Sequence, residues 1–289
     1  MLAFTVSIWL LPLLYHLNDT NTGTYPAVTK LRERTIFDMA TVNGRHEGEV
    51  LVYEKLRLPV QPLPAHHRLP VLHARRVAES SLLALGTLDS EGRPWTTLLG
   101  GEPGFANQLA ENVLGVEGLV DVQADPVMEA IWKGREEQGD VVPGDGKMVS
   151  ALAIEPMTRD RVKLAGRLMV GAKKEGGQVQ LGLQIEECLG NCPKYITKRR
   201  IVPRVPQFGD LESRVSEKWP LVEDAVKLLE KADMMFVSSW HGVDGMDTNI
   251  RGGTPGFIRL ERNDEEGVSL VYPECEFGFH PVQSRDGYP

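Results

Sequence analysis

The strongest constraint on this chain is a hexapeptide that it uses twice. Gly-Gly-Glu-Pro-Gly-Phe occupies residues 100–105 and Gly-Gly-Thr-Pro-Gly-Phe residues 252–257, so five of six letters recur. The flanks recur in kind. An apolar run, Leu82–Thr87, and an acidic-glycine turn, Asp89–Gly92, precede the first copy. Met235–Trp240 and a turn over Gly242–Gly245 precede the second, and a one-residue indel after the turn aligns the two. A period near 150 residues is far longer than a solenoid repeat, which implies two domains of one kind.

The hexapeptide acts through backbone geometry. Paired glycines allow close approach to the main chain, proline fixes a turn and removes a donor, and phenylalanine returns the chain to an apolar setting. Alone, this is a tight bend between strands. Used twice, it implies that the bends shape a site.

At 289 residues there is room for two ordinary domains. A net charge of −8 opposes a nucleic-acid surface, and the densest basic cluster, Lys198-Arg199-Arg200, reads as a solvated strand end. Three cysteines, with Cys188 and Cys192 four apart, match neither a disulfide framework nor a zinc or redox spacing. A reduced, cytoplasmic setting is the expectation. The apolar stretch Leu2–Leu14 carries Pro12 and no preceding basic residue. It is short for a membrane span and lacks the charged flank of a signal peptide, so it is read as a leader of no structural consequence, with a membrane or secretory role as the alternative.

In chain order, residues 1–35 are leader and turn-rich polar chain, 36–202 a first domain and 203–289 a partial second domain with a leading helix. Prolines 59, 62, 64 and 70 make 59–72 a surface loop holding His66 and His67, with His73 just beyond; these are read as loop histidines, not metal ligands. Val71–Leu82 holds a short helix. Leu82–Leu88 and Arg93–Leu99 form a hairpin, and Asn112–Val122 reads as another strand pair or a strand and turn. Asp125-Pro126 opens a helix, with Asp as cap and Pro in the first turn. Lys147–Ile154, Arg161–Val170 and Val179–Cys188 make an antiparallel meander. Val215, Trp219, Val222, Val226 and Leu229 mark a helix over Glu212–Lys231, kinked at Pro220. The second hairpin follows, then short strands at Phe257–Leu260 and Val268–Tyr272.

Glu47-Gly48-Glu49, the run Gly92-Arg93-Pro94-Trp95-Thr96-Thr97-Leu98-Leu99-Gly100, Pro103-Gly104-Phe105, Gly190-Asn191-Cys192-Pro193-Lys194-Tyr195-Ile196 and Arg251-Gly252-Gly253-Thr254-Pro255-Gly256-Phe257 together resemble the flavin-nucleotide-binding proteins related to pyridoxamine 5′-phosphate oxidase. The resemblance covers about residues 40–272. It implies a mainly β fold with some helix, a duplicated FMN-binding split β-barrel whose second copy is incomplete. Two fused copies would supply within one chain the interface that a homodimer supplies elsewhere. Residues 274–289 lack the Gly-Asn-rich strand expected after the second hairpin.

A flavin mononucleotide site needs cations, hydroxyls or backbone N–H groups for the phosphate and a flat wall for the ring. It also needs a donor near the N1–C2=O edge, where charge collects on reduction. Arg93, Trp95, Thr96 and Thr97 lie on the strand that faces flavin in the family. Alternation puts Trp95 and Thr97 on one face, as wall and hydroxyl donor, and Thr96 on the other. A core tryptophan and a strand-forming threonine is the structural alternative. Arg161 is a candidate for phosphate contact, or a solubilising strand arginine. Lys194 could meet phosphate and Tyr195 the ring, beside Asn191. Ser238, Ser239, Asn249, Arg251, Gly252 and Gly253 are the candidates from the second copy. Arg251 leads among them for an anionic ligand, with a salt bridge to Asp244 or Asp247 as the alternative.

Gly144-Asp145-Gly146-Lys147 is a hairpin turn, not a phosphate loop, and no Gly-x-Ser-x-Gly elbow occurs. No metal site is expected, although His241, Asp244 and Asp247 could mimic a metal cluster in a loop. The expected function is an FMN-dependent oxidoreductase of unassigned substrate, with a nicotinamide nucleotide as candidate electron donor and a homodimer as candidate assembly. A non-enzymatic flavin or haem binder is the alternative.

Overall fold

Alternating burial fixes the strands. The structure, a computed structural model, describes residues 65–133, 140–190, 196–202, 219–241 and 245–273, with four positions between 51 and 57. The leader, the 203–212 linker, Asn191, Lys194, Tyr195 and Asp244 lie outside the described residues.

One antiparallel sheet dominates. Its strands are β1 (Leu82–Leu88), β2 (Pro94–Gly100), β3 (Ala106–Ala110), β4 (Val113–Leu119), β5 (Val141–Pro143), β6 (Met148–Glu155), β7 (Asp160–Lys173) and β8 (Gln178–Gly190). Their order is β2-β1-β6-β7-β8-β4-β3, with β5 on β7. Among the described residues no pairing joins β2 to β3, so the sheet does not close. The 112–122 segment is one strand, β4, whose partner β3 follows directly on the first hexapeptide. Short polar stretches such as Asn107-Gln108 hide β3 from a period-two reading.

Two helices brace this sheet. In α1 (Val71–Glu79), His73, Ala74 and Val77 point inward. α2 (Pro126–Trp132) starts as its sequence predicts. The Asp125 carboxylate accepts from the backbone N–H groups of Val127 and Met128, and Pro126 fills the first turn. Val127, Met128, Ile131 and Trp132 join Leu83, Leu85, Leu99 and Leu183 in the main core.

Several elements of the second half stand at a constant offset of 152 residues from elements of the first half's opening. Helix α3 (Glu223–Lys231) matches α1, and Met234–Trp240 of β9 (Met234–His241) matches β1. Met246–Gly252 of β10 (Gly245–Gly252) matches β2. The cross-strand pairs match without an indel: Leu82↔Gly100 and Met234↔Gly252, Gly86↔Thr96 and Ser238↔Thr248. The hexapeptide turns also share their bonds. Gly101 N–H donates to Ser81 and Gly253 N–H to Asp233; Phe105 N–H donates to Glu102 and Phe257 N–H to Thr254. Gly104 and Gly256 sit at φ +97° and +84°, where a side chain would be strained. β11 (Arg259–Asp264) and β12 (Gly267–Val271) then pair as β3 and β4 do.

α3 is shorter than its apolar stripe predicts. Proline at 220 has no N–H and biases its predecessor toward extended backbone, so the helix begins after Val222. Of the stripe, Leu229 is buried while Trp219 and Val222 are exposed. No helix of the described residues is long and apolar enough to cross a membrane.

Candidate functional site

The two halves meet strand on strand. The β9–β10 hairpin lies across β2, β1, β6 and β7. Its even-numbered residues face the first sheet: Met246, Thr248 and Ile250 are buried at 5%, 0% and 2% exposure. Ile250 joins Ala84, Leu152, Ile154 and Ile196 in a cluster separate from the main core. Beside it lies a dry chain of hydroxyls. Thr96 donates to Ser238 at 2.7 Å, Ser238 and Thr248 share a bond at 2.9 Å, and Ser150 and Thr248 one at 2.6 Å. Buried hydroxyls need such partners, and here each satisfies another.

The odd-numbered face is different in kind. Asp247, Asn249 and Arg251 stand half-buried along β10. Lys163 reaches in from β7, with its side chain 15% exposed. Its ammonium donates to the Asp247 carboxylate and, at 3.0 Å, to the Asn249 amide oxygen. Asn249 donates in turn to Asp247 at 2.8 Å. Arg251 follows two residues on, donating to the Ile250 carbonyl at 3.1 Å, immediately before Gly252-Gly253. At matching positions of the first half stand Trp95, Thr97 and Leu99, which belong to or pack on its interior. The same strand face is thus apolar in one half and charged in the other.

Arg93 and Trp95 are tied to the turn of their own hairpin. Asp89 gathers the Trp95 indole N–H at 2.9 Å, Arg93 Nε at 2.6 Å and the backbone N–H groups of Glu91 and Arg93. Burial opposes ionisation of Asp89, but these bonds together hold its carboxyl below the ordinary range. Thr97, at 1% exposure, donates to Asp125. Burial pushes the Asp125 carboxyl up, against the lowering by its bonds from Thr97, Met128 and Val127. Trp95 and Thr97 do share a face, as alternation requires, but it is the core face. These contacts match the structural alternative, a core tryptophan and a strand-forming threonine.

Thr96 and Ser238 are consumed by the inter-half hydroxyl chain. Ser239 is exposed near the end of β9, and Arg161 is buried at the start of β7 opposite Ile154. Gly253 packs on Phe257, where a Cβ would come within 2.8 Å. Phe105 packs on the main core, and Phe257 on a third cluster with Leu229, Met235 and Ile258. Asn249 and Arg251 are the sequence candidates that the fold brings together, and Lys163 is the partner the sequence reading missed. Asp247 pairs with Lys163. Among the described residues, no group of histidines, cysteines and carboxylates is arranged to hold a metal.

No protein-family model matches this chain, and no curated protein matches it. Among solved structures it is similar to a candidate pyridoxamine 5′-phosphate oxidase from Lactobacillus delbrueckii. That match has 17% identity and TM-score 0.30, covering 43% of this chain and 95% of that one. It is similar also to HupZ of Group A Streptococcus, at 8% identity and TM-score 0.29 over 42% and 93%. A third is an F420 reductase, at 10% identity and TM-score 0.25 over 39% and 92%. At these scores the likeness carries no weight for function, which must be argued from the residues of this chain.

Proposed function

We propose that the chain is a flavin-nucleotide-binding protein of oxidoreductase type, built from a duplicated module, that holds FMN against the polar face of β10. One observation carries the reading: Asp247, Asn249 and Arg251 stand where the uncharged, core-facing Trp95, Thr97 and Leu99 stand on a matching strand face, and Lys163 joins Asp247 and Asn249 from the other half. A polar, half-buried strand face costs folding energy unless it serves a ligand or is covered by polar partners. The motif resemblance supplies the ligand class.

The residues fit that class. Lys163 and Arg251 would bring cations toward a phosphate, Asn249 a neutral amide, and Gly252 a backbone position without a side chain. Asp247 opposes an anion, and a phosphate would compete with it for the Lys163 ammonium. The bound flavin would supply the electron chemistry; the chain's part is to hold the phosphate, orient the ring and limit access of water. FMN, a nicotinamide electron donor and a cytoplasmic setting remain parts of this proposal.

The purified protein tests it through its absorption spectrum and FMN titration, followed by anaerobic mixing with NADH or NADPH. A flavin spectrum with bleaching by either donor supports an oxidoreductase. A bound flavin that no donor reduces supports a carrier instead. A colourless protein that FMN does not saturate removes the assignment.

A further inference from the structure

The lysine of the candidate site already holds an anion. Lys163 Nζ and Asn249 Nδ2 come from different halves of the chain, yet both donate to one atom, Oδ2 of Asp247. The ammonium gives a second N–H to the Asn249 amide oxygen at 3.0 Å, which closes a ring of three side chains. Two donors are thus fixed around a single oxyanion position, the arrangement that charge-assisted recognition of an oxygen anion requires.

The two charged partners are unequally placed. The Lys163 side chain is 15% exposed and that of Asp247 46%. Lys163 stands on a central strand, paired with Leu152 of β6 on one side and Leu189 of β8 on the other. Asp247 stands two residues from the start of β10. Turning the short Asp247 side chain carries its carboxylate toward solvent with no change in the backbone. Lys163 left alone would be a poorly solvated charge, which is costly. The carboxylate therefore leaves when another anion takes its place.

We propose that Asp247 is a resident stand-in for phosphate. Its Oδ2 occupies the position that a phosphate-monoester oxygen takes, and binding exchanges one anion for the other on Lys163 and Asn249. The inference rests on the flavin-nucleotide reading and names what sets the affinity of that site. A phosphate monoester near pH 7 carries more negative charge than a carboxylate, which favours the exchange. Against it, the protein gives up the same two bonds that the ligand gains, and the expelled carboxylate stays close enough to repel the phosphate. Asp247 thus weakens phosphate binding while keeping Lys163 paired in the empty site. Riboflavin has no phosphate and takes no part in the exchange.

The test is titration of FMN, riboflavin and inorganic phosphate into the full chain and its Asp247→Asn variant, with circular dichroism to establish that each is folded. Asparagine keeps the shape and an acceptor oxygen for Lys163 and removes the charge. Asp247→Asn is expected to bind FMN about tenfold more tightly, the scale of removing one opposing charge. Inorganic phosphate is expected to displace FMN from both chains, and riboflavin affinity to be the same in both. In a Lys163→Ala background Asp247→Asn is expected to lose most of its gain. A folded Asp247→Asn chain that binds FMN no more tightly than the wild type would overturn the proposal and leave the flavin reading standing. An equal gain for riboflavin, or an undiminished gain in the Lys163→Ala background, would overturn it too. FMN binding by neither folded chain would remove both the proposal and the flavin reading.

Discussion

Gly86 and Ser238 hold matching places in the two hairpins and face each other across the junction, so closely that a Cβ on Gly86 would overlap the Ser238 hydroxyl. The same Cβ would stand 2.9 Å from both Ser238 Cβ and Ser150 Oγ. A symmetric pair of serines does not fit there, and a pair of glycines leaves Thr96 and Thr248 short of a partner.

Gly86→Ser is therefore expected to lower stability by about 1–3 kcal/mol, the usual cost of overpacking. Exchanging the pair, Gly86→Ser with Ser238→Gly, is expected to recover most of that loss, because the serine then fills the space from the opposite side. Urea melts of the single and double variants measure the coupling. A double variant no better than Gly86→Ser would remove the matched-position argument.

Asp125 joins α2 to β2. Asp125→Ala is expected to cost about 1–2 kcal/mol through the lost cap, with a further loss at Thr97. Burial raises the Asp125 carboxyl pKa in the folded chain, so the folded state binds the proton more tightly than the unfolded one. Its contribution is fully present below the ordinary value of 3.8 and is lost as pH rises through the raised value. Asp125→Asn keeps a capping oxygen and should flatten that fall. Asp89 runs the other way. Its lowered pKa gives stability present above 3.8 and lost as pH falls through the folded value, and Asp89→Asn should abolish it. Thermal melts across acidic pH read both signs.

Cys188 and His73 form a buried pair, Sγ to Nδ1 at 3.0 Å. Burial pushes the thiol up to about 12. Burial, then His66 and Arg76, lower the His73 pKa. The thiol is thus neutral and shares a hydrogen bond with the imidazole, whose tautomer sets the donor. In a Cys192→Ser/Cys275→Ser background, iodoacetamide should leave Cys188 unmodified in the native protein and modify it in urea. Because His73 has a lowered pKa, its contribution to stability is present above 6.5 and lost as pH falls through the folded value. Rapid native labelling would contradict the buried pairing.

The hairpins, the meander and the α2 cap were legible because each is written locally: period-two alternation, Gly-containing turns, Asp-Pro. The start of α3 was not, since the stripe through Trp219 and Val222 ignores what Pro220 does to its neighbours. That Trp95 and Thr97 share one face follows from alternation, but what that face meets does not. Which face of β2 meets the core depends on β1, β6 and Asp125, far away in sequence. Lys163 could have been found only by asking what lies over Asp247 and Asn249. Their departure from Trp95 and Thr97, however, is visible once the halves are aligned at 152 residues.

The most direct test is calorimetric titration of FMN into the wild-type chain, Arg251→Ala and Lys163→Ala. One site per chain is expected, with affinity lowered by about 1.5–3 kcal/mol in Arg251→Ala, the worth of a charge-assisted bond, and lowered also in Lys163→Ala. Saturable FMN binding that neither substitution weakens would place the cofactor elsewhere, and no binding by the folded wild-type chain would contradict the account at its centre.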